Sequence, residues 1–381
     1  MKIRYLVIYL IFSLLILGNF TLYAQHIHVS GENIDIKLEG YKEGNIEWQF
    51  SEDGAKWIII PNETSALLKT TLKKTGFFRS RISVCSTEYF SDTTQVFVSN
   101  TDTEYVDNIG KYLTSDKVEG RFPGTKGDTL CVAFLSEIFK KNDLIPLVKG
   151  DSVYYIPFVT SGSSLAYRNN VNTFNIVGLK EGRDSLLKNE YIIVCAHYDA
   201  YGKNPYNQIN YGADDNASGV TEVALLSKLF KEIESKRSIL FIFTGAEEFG
   251  LMGVNAFIRS NIIEKKKIKG VLNFDTIGKM KDNTLYVFGD DLSEAIQKKI
   301  EKFNTEGLNL VLNTGKFIGG TSADHVPFYN WTPALGFIAI SEIKNSLIHS
   351  PSDKWTTINV DGIVKIGSLT FKVIKDLANS N

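Results

Sequence analysis

In "YGADDNASGV", residues 211–220, Asp214 and Asp215 stand side by side between Gly212 and the pair Ser218–Gly219. Adjacent like charges repel, so the arrangement calls for open water or for something positive close by. Asp, Asn, Ser and Gly are also turn residues, and alone the segment reads as a solvated turn. The rest of the chain argues otherwise. "IIVCAHYDA" ends in His197 and Asp199, "ILFIFTGAEEFG" brings Glu247 and Glu248, and "GVLNFDTIG" brings Asp275. "ALGFIAIS" is followed by "IHSPSDKW", which carries His349. Each is an apolar run of strand length that delivers polar groups at its carboxyl end. Imidazole nitrogen and carboxylate oxygen are the donors zinc accepts. A divalent pair would offset acids that could not otherwise be packed together. Two such ions about 3.5–4 Å apart can hold a shared water and polarise a carbonyl at the same time. A nearby carboxylate can then take the water's proton near neutral pH. Of the neighbours Glu247 and Glu248, one can ligate while the other faces the water, and spacing leaves open which does which.

These residues need a scaffold that gathers strand ends. From about Thr101, helical patterns such as "DTLCVAFLSEIFKKN" and "SGVTEVALLSKLFKEIESK" alternate with strand runs. The strands are "NTFNIVGLK", "EYIIVCAH", "RSILFIFTG", "IKGVLNFD", "TLYVFGD" and "ALGFIAIS". This pattern predicts an α/β domain over residues 101–381, a mainly parallel mixed sheet covered by helices on both faces. Sites in such folds lie beyond the carboxyl ends of the strands. "EKKKIK", residues 264–269, reads as a solvated helix end before a strand. Residues 26–100 alternate apolar and polar positions at period two. They predict a small all-β sandwich of immunoglobulin type, with the hairpin "WQFSEDGAKW" turning at Glu52-Asp53-Gly54 and a second strand carrying Trp57 and Ile58–Ile60.

Residues 1–24 open with Lys2 and Arg4, continue in an apolar run from Tyr5 to Leu17, and reach small-residue cleavage chemistry at Ala24. They read as a secretory signal peptide, which implies a secreted or periplasmic protein with no membrane span after cleavage. The chain carries 42 Lys and Arg against 43 Asp and Glu, a formal net charge of −1, with no long basic run. Nothing there is an electrostatic footprint for nucleic acid. Three widely spaced cysteines exclude a disulfide scaffold, and Cys195, inside "YIIVCAH", reads as a buried small hydrophobe.

His-x-Asp, Gly-x-x-Asp-Asn-x-Ser-Gly, a Glu-Glu pair after a strand, a strand-end Asp and a late His together resemble the di-zinc aminopeptidases of the bacterial leucyl aminopeptidase and aminopeptidase Y type. The resemblance spans roughly residues 101–381 and includes "EGRFPGTKGD" upstream. It implies a zinc-exopeptidase-like fold, two Zn²⁺ ions and a peptide substrate. It implies that His197 and Asp275 bind one zinc, Glu248 and His349 the other, and that Asp215 bridges them. Asp199 would orient His197 through its second ring nitrogen, and Glu247 would be the general base and a holder of the substrate's free α-amine. Asp214 would bond backbone or cap the helix that begins near Ser218. "SADHVPFYN" resembles a further segment of the family, in which His325 shapes the pocket or packs. Some relatives carry Tyr just before the last His, where its hydroxyl serves the oxyanion; here Ile348 stands there, which leaves Tyr198, Tyr201 or Tyr329 as donors. Two other readings compete. One is a glutaminyl cyclase, with the same fold and typically one zinc; the other is a binding protein whose peptidase domain has decayed. Neither the preferred N-terminal residue nor the partner of the β-sandwich can be read from the residues.

Overall fold

The computed structural model describes residues 27–28, 33–84, 86–98, 101–147, 153–160, 170–313, 323–339 and 347–380. The expected signal peptide, with His26 and Cys85, lies outside them. Among the described residues no helix is long and apolar enough to cross a membrane.

The first eight strands are β1 (Ile27–His28), β2 (Asn33–Lys37), β3 (Asn45–Ser51), β4 (Ile58–Ile59), β5 (Leu67–Thr71), β6 (Gly76–Val84), β7 (Thr87–Phe90) and β8 (Thr94–Val98). Six of them form one sheet, while β2 and β5 pair separately; every pair is antiparallel except β1 with β8. Period-two alternation turns Ile36, Ile46, Trp48, Leu68 and Phe78 inward to a common core. The second strand of the hairpin is shorter than its sequence suggests. Asp53 accepts the backbone N–H of Ala55 and Lys56, and the tight turn this makes leaves Trp57 outside β4, stacked on Arg79 at 3.9 Å.

Nine strands form the second sheet: β9 (Ile145–Pro146), β10 (Tyr155–Thr160), β11 (Val171–Lys180), β12 (Tyr191–His197), β15 (Ser238–Thr244), β16 (Ile268–Phe274), β17 (Thr284–Gly289), β18 (Asn309–Asn313) and β19 (Ala334–Ile338). A short hairpin of β13 (Gly202–Lys203) and β14 (Ile209–Asn210) stands apart. The order is β10-β11-β15-β12-β16-β19-β17-β18, with β9 beside β11. The central four, β15, β12, β16 and β19, run parallel, whereas β11 and β17 join them antiparallel. β15 is buried at every residue, as expected of a strand covered on both faces.

One face is covered by α1 (Asp102–Leu113), α2 (Lys126–Lys141), α3 (Gly219–Leu229) and the C-terminal α6 (Val360–Asn379), whose apolar residues join one large core. On the other face α4 (Met252–Ser260) packs Val254 and Phe257 against Val177, Ile193 and Leu240. A further helix, α5 (Glu294–Phe303), contributes Ile296 and Ile300 to the large core. Within "EKKKIK" Lys265–Lys267 form a 3₁₀ turn and Ile268–Lys269 open β16, so the segment leads into a strand as expected, but from a turn rather than a helix end. From β12 the chain crosses to β15 on one side and next to β16 on the other. The loops after these strands therefore flank the crevice where strand order reverses.

α3 and α6 meet at a buried acid. Glu222 is fully buried, accepts the Thr370 hydroxyl at 2.9 Å, and has its other carboxylate oxygen without a hydrogen-bond partner among the described residues. Burial raises its pKa to about 8, with the Thr370 hydrogen bond opposing. A raised pKa means the group favours the folded state fully below its unfolded value of about 4.3 and progressively less up to about 8. Glu222→Gln should therefore flatten the stability profile between those limits, removing a slope of about 1.4 kcal/mol per pH unit. Urea unfolding of both proteins at pH 5 and pH 8 measures it; parallel profiles would contradict the assignment.

Candidate metal centre

Each ligand candidate stands where its local sequence places it. His197 is the last residue of β12, paired with Thr244 of β15, and β12 is held on its other side by β16 as far as Cys195. Asp275 follows β16 and prolongs the ladder, its N–H donating to Phe337 O at 3.1 Å. Glu247 and Glu248 follow β15, and both backbone N–H groups donate to the Asp199 carboxylate, at 3.0 and 3.3 Å. Residues 213–218 form a single irregular turn in which Asp215 and Asn216 leave helical geometry. Asn216 secures it: its amide nitrogen donates to Phe274 O at 2.9 Å, and its oxygen accepts from Gly219 N at 3.0 Å and Thr276 N at 3.3 Å. Gly219 is required there, since a Cβ would lie 2.3 Å from Phe274 O.

The five predicted ligands converge in two groups that share Asp215. One is His197, Asp215 and Asp275; the other is Asp215, Glu248 and His349. Asp215 divides its oxygens between them: Oδ1 is 3.2 Å from His197 Nε2, and Oδ2 is 2.9 Å from His349 Nε2. Asp275 Oδ1 lies 3.8 Å from His197 Nε2, and Glu248 Oε2 lies 3.1 Å from His349 Nε2. Glu247 belongs to neither group, although its Oε2 is 3.8 Å from His197 Nε2. All but His349 are largely shielded from water.

Crowding sets the electrostatics. Burial pushes Glu247 well above the ordinary carboxylate range, with the charges of Asp275, Asp324 and Glu248 adding to it and His197 opposing. Glu248 rises to about 8, first by burial and then by the charge of Asp215. Burial would raise Asp215 too, but hydrogen bonds from His197 and His349 outweigh it and hold it low. Burial opposes protonation of His349, yet bonds to Asp215 and Glu248 lift it to about 10. The two imidazoles thus share the role of counter-charge to four carboxylates.

Several expectations need adjustment. Asp199 does face the second nitrogen of His197, but its backbone carbonyl is nearer at 3.3 Å than its carboxylate at 3.7 Å. The carboxylate also holds the Glu247 and Glu248 backbone. Asp214 bonds backbone, accepting Gly278 N at 2.8 Å, and does not cap α3. Tyr198 is unfit as an oxyanion donor because its hydroxyl is buried and donates to Asp128 at 2.6 Å. Tyr329 stacks edge-on against His325, whose buried ring presses on Gly336. Tyr201 alone of the three touches the cluster, its ring centroid 4.4 Å from that of His349.

Arg121 was not singled out from the sequence. It is fully buried and donates to the carbonyls of Tyr198 (2.7 Å), Tyr211 (2.7 Å) and Gly212 (2.8 Å), tying the loops that follow His197 and precede Asp215. Burial lowers its pKa, but a guanidinium stays charged and places one fixed cation behind the acids.

A family model described as peptidase family M28 matches residues 175–374, just over half of the chain. The chain belongs to peptidase family M28. Residues 19–100, upstream of that M28 region, match a domain of unknown function. Aminopeptidase YwaD of Bacillus subtilis is 26% identical over 206 residues, which are 52% of this M28 chain and 44% of YwaD. The chain thus spans under half the length of that relative. BSAP, a zinc aminopeptidase from Bacillus subtilis, superposes with a TM-score of 0.57 at 18% identity, covering 73% of this chain and 96% of that one. A glutaminyl cyclase of Bacteroides thetaiotaomicron bound to N-acetylhistamine gives 0.58 at 16%, covering 72% and 97%. At such identities the likeness shows the fold alone.

Proposed function

We propose that this M28 chain is an exported zinc aminopeptidase that removes N-terminal residues from peptides. Residues 1–24 would be its export signal, residues 26–100 an immunoglobulin-like domain and residues 101–381 the catalytic domain. The observation that carries the reading is Asp215, whose two oxygens serve two separate imidazoles.

The donor set fits zinc. Ligands about 2.0–2.1 Å from a tetrahedral ion lie roughly 3.3 Å from one another, and the nitrogen–oxygen separations here run from 2.9 to 3.8 Å. Glu248 also keeps a buried oxygen, Oε1, with no hydrogen-bond partner among the described residues. His197, Asp215 and Asp275 would hold one ion, and Asp215, Glu248 and His349 the other. When bound, the two ions supply Lewis-acid activation of a water and of the scissile carbonyl.

The remaining work falls to side chains of this chain. Glu247, left out of both ligand groups, would accept the proton of the attacking water on its carboxylate and deliver it to the leaving amine. Asp199 holds the Glu247 backbone through a 3.0 Å hydrogen bond, which keeps that carboxylate aimed into the site. The Tyr201 hydroxyl would donate to the tetrahedral oxyanion in place of the residue that Ile348 displaces. Tyr201→Phe is expected to lower kcat about 10²-fold with little change in KM. Steady-state kinetics on an aminoacyl-anilide checks this, and an unchanged kcat would assign the donor elsewhere.

A second reading, cyclisation of N-terminal glutamine, is favoured by the equal structural likeness to the glutaminyl cyclase. One preparation of the full chain separates them when offered aminoacyl-anilides and peptides beginning with Gln. Anilide hydrolysis without pyroglutamate formation supports the peptidase; the converse supports the cyclase. Silence on both, with no bound zinc, would revive a purely binding role for the β-domain.

A further inference from the structure

The three loops that carry Asp215, Asp275 and His349 meet at one ion pair, in which the acid is fully buried and the cation partly so. Asp353 is fully buried and accepts the backbone N–H of Asp214 at 3.0 Å and of Asp215 at 3.1 Å. Its carbonyl accepts Ala213 N at 3.3 Å, and its own N–H donates to Ser350 O at 3.1 Å. Lys279, four residues beyond Asp275, places its Nζ 3.0 Å from Asp353 Oδ1 and 3.9 Å from Asp214 Oδ2. Asp214 in turn accepts Gly278 N, which closes a ring around residues 213–215, 278–279 and 350–353.

We propose that Asp353 and Lys279 are positioning residues, a clamp that sets the distance between the two metal groups and holds His349 in reach of the second. The inference rests on the metal-binding reading above.

Energetics favour a positioning role over a stabilising one. A buried ion pair is weak evidence for stability, because desolvating both charges offsets their attraction. A third carboxylate set beside Asp214 and Asp215 raises that cost further. Its arrangement gains meaning from what it fixes. His197 and Asp275 are held by the sheet itself, through ladder bonds on β12 and β16. His349 has no strand of its own: its side chain is 43% exposed and its backbone is left-handed, with φ 58°. The bonds of Asp353 anchor its segment to the turn that bears Asp215. Releasing them leaves His197 and Asp275 on their ladder bonds, loosens the turn that bears Asp215, and frees His349 altogether.

The test titrates the metal-free full-length chain with Zn²⁺ against a chromophoric chelator, for wild type, Asp353→Asn, Lys279→Met and the double variant. Thermal melting of each metal-free protein is recorded alongside. Wild type should bind two ions. Asp353→Asn should weaken the second by about 10–100-fold and the first, which shares only Asp215 with it, by much less, with metal-free melting preserved. Lys279→Met should weaken the same ion, and the double variant should lose no more than Asp353→Asn alone, because the pair acts as one unit. Wild-type affinity for both ions in both single variants would overturn the clamp. So would parallel loss of both ions with a lowered melting temperature, the mark of a merely structural pair. Wild type that binds no zinc would overturn the metal reading itself, and the clamp with it.

Discussion

Glu247→Gln is expected to lower kcat by about 10²–10⁴-fold while the protein keeps its full metal content. Gln has the shape of Glu but cannot accept and release a proton near neutral pH. The substitution therefore removes one function and spares the scaffold. Two features make the separation clean. Glu247 lies outside both ligand groups, and its backbone, not its side chain, is what Asp199 holds. Its neighbour provides the contrast: Glu248 Oε2 stands 3.1 Å from His349 Nε2 within the second group, so Glu248→Gln should cost metal as well as rate. Metal analysis beside anilide kinetics distinguishes the two. Loss of zinc from Glu247→Gln would make it a ligand, and retained turnover would move the base elsewhere.

Asp215→Asn should be the most damaging change to metal content. Losing an outer partner of a metal ligand typically costs 10–100-fold in affinity or activity, so losing the shared ligand should cost more than about 100-fold. The replacement carries no negative charge, and it presents one oxygen where two are used. Zinc bound per chain should fall from two to one or none, and kcat/KM should fall with it. The metal-free fold should change little, because the turn is held through Asn216 and the Asp353 bonds to backbone rather than through the Asp215 carboxylate. Full zinc occupancy in this variant would remove Asp215 from its central place.

The cluster was legible because strand chemistry is local. His197, Glu247, Glu248 and Asp275 each follow an apolar run, and parallel strands that share a sheet bring their carboxyl ends together. The supports were not legible. Arg121 meets Gly212 across 91 positions and Asp353 meets Asp214 across 139, and neither sits in a pattern that marks burial. In "IHSPSDKW" His349 stands out as a metal-ligand type, while nothing local marks Asp353, four residues on, as buried. The three tyrosines show the same limit. Tyr198 and Tyr201 flank one turn, yet strand geometry buries the first beneath the sheet's helices and sets the second on His349. Resemblance carried roles the spacing left open, above all the division of labour between Glu247 and Glu248.

The most direct measurement is an anomalous difference map at the zinc edge from crystals of the full chain grown with Zn²⁺. The account predicts two peaks about 3.5–4 Å apart, one beside His197 and Asp275, the other beside Glu248 and His349, with the Asp215 carboxylate between them. A single peak, or zinc bound away from Asp215, would contradict it.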